Sequence, residues 1–173
     1  MADHIIDTNV LLVASARHPD SPFEDSNVPV EQQQDVLNWL MEFRIDGQRK
    51  LVLDQFFKIW EEYNNKLTGQ DIGLLVVTEK LQSSLLRTVD IAYDENGHGC
   101  LPAELEKIVH DKSDRKFVAV ACIDRSQGGE STIINAVDSD WCDWEEHLKP
   151  FGVSISHLID DLYQAWQRKR AKR

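Results

Sequence analysis

The chain is poor in the residue types that build redox, zinc or disulfide centres. Its 173 residues hold three cysteines, Cys100, Cys122 and Cys142, widely spaced and without a CxxC pair. An odd, scattered set argues against a disulfide framework and against a zinc site, and it suits a reducing, cytoplasmic setting. The six histidines have no HxxxH spacing, so surface or core roles are expected of them. No apolar run approaches the ~18 residues of a membrane span. The opening Met-Ala-Asp-His-Ile-Ile-Asp has neither a basic start nor a long apolar stretch, so no signal peptide is expected. Gly128-Gly129 follows Arg125-Ser126-Gln127 with no lysine or serine to complete a phosphate-cradling loop. Positive charge is scarce too. Nineteen Lys and Arg face 30 Asp and Glu, for a net charge of -11. That is awkward for binding phosphates, which draws on basic side chains.

What basic charge there is gathers at one end. Arg168, Lys169, Arg170, Lys172 and Arg173 are five of the last six residues, which leaves -16 on residues 1–167. Such a tail reads either as an arm for phosphate backbones or as a solvated helix end, where cations suit the helix dipole. The apolar share of 42% fits a globular chain long enough for one domain with a real core. We read residues 1–167 as that domain and 168–173 as the tail.

Short β-like runs alternate with helical spacings. The apolar run His4-Ile5-Ile6 stops at Asp7, and Val10–Ala16 reads as a helix. Pro19, Pro22 and Pro29 mark residues 17–29 as a loop. Val30–Ile45 has helical apolar spacing and stops at Gly47. Leu51-Val52-Leu53 is a second strand. Phe56, Trp60, Tyr63 and Leu67 mark one face of a helix, and Ile72–Leu86 is another. Thr88–Tyr93 is read as an extra strand before the turn Asn96-Gly97-His98-Gly99. Pro102 suits the first position of a helix over Ala103–His110, and Ser113 suits the cap of one over Asp114–Ile123. Thr132–Val137 is β-branched and strand-like. Trp141–Leu148 is helical, Val153-Ser154-Ile155 is a last strand, and Leu158–Trp166 is a closing helix. This alternation predicts an α/β/α sandwich around a mostly parallel sheet.

In such sheets ligands sit at the carboxyl ends of the strands. Asp7 follows the first strand directly, and Asp138 and Asp140 follow the Thr132–Val137 strand. Asp114 opens a helix, and Glu61 and Glu62 lie within one. Carboxylates gathered at one edge repel, and each shifts toward protonation. A divalent cation removes that penalty, and oxygen donors suit magnesium or manganese rather than zinc. Taken singly, each acid has a plain alternative as a helix cap, a dipole partner or a solvated face. Their joint order carries the reading.

That order brings a family into view. His-Ile-Ile-Asp7-Thr8-Asn9-Val-Leu-Leu resembles the opening of the PIN-domain nucleases. Ile59-Trp60-Glu61-Glu62-Tyr63 resembles their helix with the second acid, and Asp114-Arg-Lys-Phe-Val-Ala-Val-Ala the helix that opens with the third. Asn135-Ala-Val-Asp138-Ser-Asp140-Trp resembles the strand end with the fourth. The match spans residues 4–155. The resemblance implies a metal-dependent endoribonuclease acting on RNA, often single-stranded. Asp7, Glu62, Asp114 and Asp138 would hold one or two Mg2+ or Mn2+ ions, with Asp140 in support. It implies in-line attack by water and products with a 5′-phosphate and a 3′-hydroxyl. Stepping about 100° per residue puts Glu61 and Glu62 on opposite flanks of the helix, so periodicity does not choose between them. The tyrosine after Glu62, as in the family motif, favours Glu62.

Thr8 and Asn9 are expected either to orient a ligand carboxylate or to serve the turn. Arg115, Lys116, Arg168, Lys169 and Arg170 are the candidate RNA contacts. Trp60, Trp141 and Trp144 are expected in the core rather than as base-stacking platforms. Many small PIN nucleases act as toxins held inactive by a partner, or in RNA processing or defence. The resemblance therefore admits an inhibitory or complex-forming protein partner, and a homodimer. Two rivals are kept. One is a catalytically silent domain of the same fold that binds RNA or protein. The other is an aspartyl phosphatase of the haloacid dehalogenase kind, in which a second Asp stands two residues after the first; that place is Asn9 here.

Overall fold

The computed structural model describes residues 2–17 and 28–172. Among these residues, five short strands form one sheet: β1 (His4–Ile6), β2 (Leu51–Asp54), β3 (Leu86–Val89), β4 (Thr132–Asn135) and β5 (Ser154–His157). Their order is β3-β2-β1-β4-β5, and every pairing is parallel. The central strands β1 and β2 are buried at every position. A strand alternates its side chains between faces, so unbroken burial means that helices cover both. The architecture is the expected three-layer α/β/α sandwich, with all strands parallel.

Among the described residues, eight α-helices connect and cover the strands: α1 (Thr8–Arg17), α2 (Val30–Ile45), α3 (Lys58–Lys66), α4 (Ile72–Gln82), α5 (Ala103–Glu106), α6 (Arg115–Ser126), α7 (Asp140–Leu148) and α8 (Asp160–Ala171). Helices α1, α2 and α4 pack on one another, while α6 packs on β1, β2, β3 and β4. Gly73 lets α4 press against α1, where an added Cβ would lie 2.7 Å from the Leu11 carbonyl oxygen. The core joins Ile5, Ile6, Leu11, Leu40, Phe43, Leu53, Tyr63, Phe117, Ile133, Trp141 and Trp144, all at most 1% exposed. Burying one such side chain stabilises the fold by roughly 1.5–3 kcal/mol. No helix among the described residues is long and apolar enough to cross a membrane.

Several boundaries differ from the sequence reading, each for a local reason. Phe56 does not start a helix. The Asp54 carboxylate accepts the backbone N–H groups of Phe56, Lys58 and Ile59, and Phe57 sits in the left-handed region at φ 58°. Helix α3 therefore begins at Lys58, and Phe56 is left 64% exposed. Helix α4 stops at Gln82, and Leu86 pairs with Leu51, so β3 starts two residues before the expected strand. Ser113 does not cap α6; its hydroxyl donates to Asp111, 2.7 Å away, and Asp114 occupies the cap position. Strand β4 ends at Asn135, so Asp138 lies in a turn beyond it. Most of the expected 17–29 loop lies outside the described residues.

The strand order reverses at β1, whose neighbours β2 and β4 run off in opposite directions. In open parallel sheets ligands bind at such a switch point, outside the carboxyl ends of the strands, here those of β1 and β4. Asp7 and Asp138 stand beside it.

Candidate active site

Asp7 leaves β1 buried, 5% exposed. One of its carboxylate oxygens accepts the Asn9 backbone N–H at 3.1 Å, and the other accepts the Trp141 indole N–H. Asn9 joins this turn to the one after β4. Its amide oxygen accepts the backbone N–H groups of Ala136 and Val137 at 2.9 and 3.3 Å, and its amide nitrogen donates to Asn135 Oδ1 at 3.1 Å. Asn135 in turn closes the loop carrying Asp138. It donates to the Asp138 carbonyl at 2.8 Å and accepts the Asp138 N–H at 3.1 Å. Asp138 and Asp7 are thus held by one amide pair.

Helix α3 supplies the second acid. Tyr63 is fully buried and donates its hydroxyl to the Ile6 carbonyl at 2.5 Å, which fixes the helix against β1. That turns Glu62 inward. It accepts the Thr8 hydroxyl on one oxygen and the Lys116 ammonium group on the other. Glu61 faces outward and pairs with Lys58 at 2.9 Å. The structure therefore separates the two glutamates that helical periodicity left equal.

Asp114 stands at the start of α6, 8% exposed. Burial pushes its carboxyl up to about 8, and the charges of Asp7, Asp111, Asp138 and Glu62 push the same way. Burial raises Asp7 to about 7 against the opposing bonds from Trp141 and Asn9, with Asp138 and Glu62 adding to the rise. Asp138 is raised as well, again chiefly by burial, with Asp140 and Asp111 contributing. The charges of Asp7, Glu62 and Asp138 thus bear on Asp114, and those of Glu62 and Asp138 on Asp7. Asp140 sits at the rim, where its backbone N–H donates to Asp138 Oδ1 at 2.9 Å and its carboxylate lies 3.5 Å from His110 Nε2.

The expected RNA contacts divide. Arg115 is turned onto the preceding segment and donates to the carbonyls of Val109 and Glu106 at 3.0 and 2.9 Å. Lys116 points into the acids. Arg168, Lys169 and Arg170 are exposed on the last turns of α8. Lys169 and Arg170 line a cleft of about 590 Å³ between α7 and α8, together with Ser139, Asp140 and Trp166. The Arg170 guanidinium lies 5.2 Å from the Trp166 ring centre.

Sequence reasoning missed four residues here. Trp141 is in the core as expected, yet it also holds Asp7; a pairing 134 positions apart leaves no local signal. Asn135 and Lys116 sit inside quoted motifs without an assigned role at the acids. Asp54 could have been found, since it ends Leu51-Val52-Leu53 just as Asp7 ends His4-Ile5-Ile6.

Among the described residues, no group of three or more histidine, cysteine, aspartate or glutamate side chains forms a ready metal cage. The donor set still suits a hard cation. It is all oxygen, and magnesium keeps several waters and takes only one or two carboxylates. A cation already stands in the cluster in the form of the Lys116 ammonium group. Comparison of the chain with protein-family models, curated proteins and solved structures found no match.

Proposed function

We propose that this chain is a divalent-cation-dependent endoribonuclease of the PIN kind, acting on single-stranded RNA in the cytoplasm. The observation that carries the reading is the gathering of Asp7, Glu62, Asp114 and Asp138 at the switch point of a parallel sheet, where burial raises Asp7, Asp114 and Asp138 toward protonation and the charges of Glu62 and Asp138 add to the rise at Asp7 and Asp114. Structural ion pairs lower carboxyl pKa values; a cluster that raises them is held together at a cost and fits a cation. A bound magnesium or manganese ion would neutralise this charge, activate water and stabilise the leaving oxygen of a phosphodiester.

The chain's own groups have separable tasks. Asp7, Asp114 and Asp138 present carboxylate oxygens to the ion, and Asp140 supports Asp138 at the rim. Trp141 and Asn9 fix the orientation of Asp7, and Thr8 that of Glu62. Arg168, Lys169 and Arg170 offer the phosphate contacts that the acidic body lacks. An inhibitory protein or a second copy of the chain would find its target at the same edge.

The test is cleavage of an unstructured RNA with magnesium or manganese. Wild type should cut and lose activity in chelator, while Asp7→Asn and Asp114→Asn should fall by at least ~100-fold, on the scale of removing an essential charge-stabilising group. Equal rates in the variants would sink the assignment. One observation favours a second reading, a silent domain that binds RNA or protein: both oxygens of Asp7 and of Glu62 already have protein donors. RNA binding without any manganese uptake would select it.

A further inference from the structure

Helix α8 buries none of its described side chains fully, yet it carries two large aromatic ones. Tyr163, Trp166 and Arg170 fall at i, i+3 and i+7, on one face of the helix. With His157 from β5 they form a column of planar groups. The His157 and Tyr163 rings lie 6.1 Å apart and the Tyr163 and Trp166 rings 5.4 Å apart, inclined by 28° and 29°. The Arg170 guanidinium rests over the Trp166 ring at the far end. Trp166 is only partly buried and lines two clefts, one of about 590 Å³ toward α7 and one of about 480 Å³ shared with Tyr163 and Gln167.

The column joins the acids to the basic end of the chain. At its inner end His157 Nδ1 accepts an Asn135 side-chain N–H at 3.0 Å, and the same Asn135 side chain holds the Asp138 turn. Along its flank, the α7 cleft is lined by Ser139 and Asp140 at the rim of the acids and by Trp166, Lys169 and Arg170. At its outer end stand Arg168, Lys169 and Arg170, which form no ion pair among the described residues. The opposite wall of the cleft is acidic, with Asp140, Asp143 and Glu146. Asp143 accepts the Trp166 indole N–H at 2.6 Å, which sets the ring's position. Phosphates are repelled from the α7 wall and drawn to α8.

Partly exposed aromatic rings beside unpaired cations match an unpaired polynucleotide strand. Its bases have free faces to stack on the rings, and its phosphates take the cations. A duplex presents bases already stacked on one another, and an acidic peptide matches the cations but not the rings. Building on the single-strand nuclease reading, we propose that Tyr163 and Trp166 form a base-stacking platform. RNA lies along α8 with its phosphates on Arg168, Lys169 and Arg170, and a base displaces the Arg170 guanidinium from the Trp166 face. The α7 cleft then leads the strand to Asp140 and the acids.

Fluorescence anisotropy of a short, labelled, unstructured RNA tests this, titrated with the full chain in chelator so that no cleavage intervenes. Wild type is expected to bind the single strand more tightly than a duplex of the same sequence. Trp166→Ala should weaken single-strand binding by at least about fivefold, the scale of losing one stacked base, and leave the slope of log affinity against log salt unchanged. Arg170→Ala should instead reduce that slope by about one unit, and Trp166→Phe should keep most of the affinity. Tyr163→Ala gives a second reading of the stack, with circular dichroism checking that each variant folds. Unchanged affinity in folded Trp166→Ala and Tyr163→Ala, an equal loss for the duplex, or displacement of the RNA by polyglutamate as readily as by unlabelled RNA would overturn the platform. Cleavage is scored separately in magnesium. A wild type that binds in this way and never cuts would sink the nuclease reading and leave the platform standing; one that cuts while Trp166→Ala binds unchanged would do the reverse.

Discussion

Asp7 and Asp114 hold protons that free carboxyls would have lost, and this links stability to pH. In an unfolded chain each titrates at about 3.9; folded, they titrate at about 7 and about 8. Across that window the folded state binds more protons than the unfolded one. Stability is therefore fullest near pH 4 and declines as pH rises toward 8. For the metal-free protein we expect Tm to fall by about 5–10 °C between pH 5 and pH 8, as a few kcal/mol would require. Asp114→Asn should flatten the curve, and manganese should restore the loss in wild type only. Scanning calorimetry across the range decides it, and a flat metal-free profile would count against the cluster. At this scale the sequence was informative about residue type and silent about partners. Asp7, Asp114 and Asp138 stood out by following strands or opening a helix. Glu62 did not separate from Glu61, because what separates them is the Thr8 hydroxyl and the Lys116 ammonium group, 54 positions away on either side.

The elements that carry the acids are held by contacts of their own. Asp54 caps the start of α3, Tyr63 ties its middle to β1, and Gly99 lets a turn press on the first residues of α6. Gly99→Ala would push that turn into the Lys116 backbone. Overpacking of this kind costs about 1–3 kcal/mol, and it should displace Lys116 and lower RNA cleavage by roughly tenfold, as small misplacements at a site do. Gly47→Ala, with open space around it, should stay within about 0.5 kcal/mol of wild type. Denaturant melts and rate measurements on both variants check the pair; equal behaviour would mean that the turn does not buttress the site. Strand and helix existence was legible from periodicity and from breakers, as with Val30–Ile45. Boundaries were not. The Phe56 to Leu67 spacing fits a helix through Phe56, but Asp54 binds the N–H groups that would have begun it and Phe57 turns left-handed. The short β4 was read two residues too long, because Ala136 and Val137 give their N–H groups to Asn9 instead of to a neighbouring strand.

Across the whole molecule, the parallel sheet explains how acids scattered over 132 positions can meet. The order β3-β2-β1-β4-β5 puts the first and fourth strands side by side and parallel, so both end at the same edge of the sheet. Alternation in the sequence was enough to expect the layers and the shared edge, but not which helix crosses which strands. On the proposed nuclease reading, a net charge of -11 would leave RNA attraction to exposed cations such as those of α8 beside the α7 cleft. On the proposed reading, the aspartates at this edge would share a divalent cation. Crystals grown with manganese chloride, measured at the manganese edge, test it most directly. One anomalous peak is expected beside Asp7, Asp114 and Asp138, with the Lys116 ammonium group still on Glu62. An empty site at saturating manganese, or a peak only elsewhere on the surface, would contradict that reading.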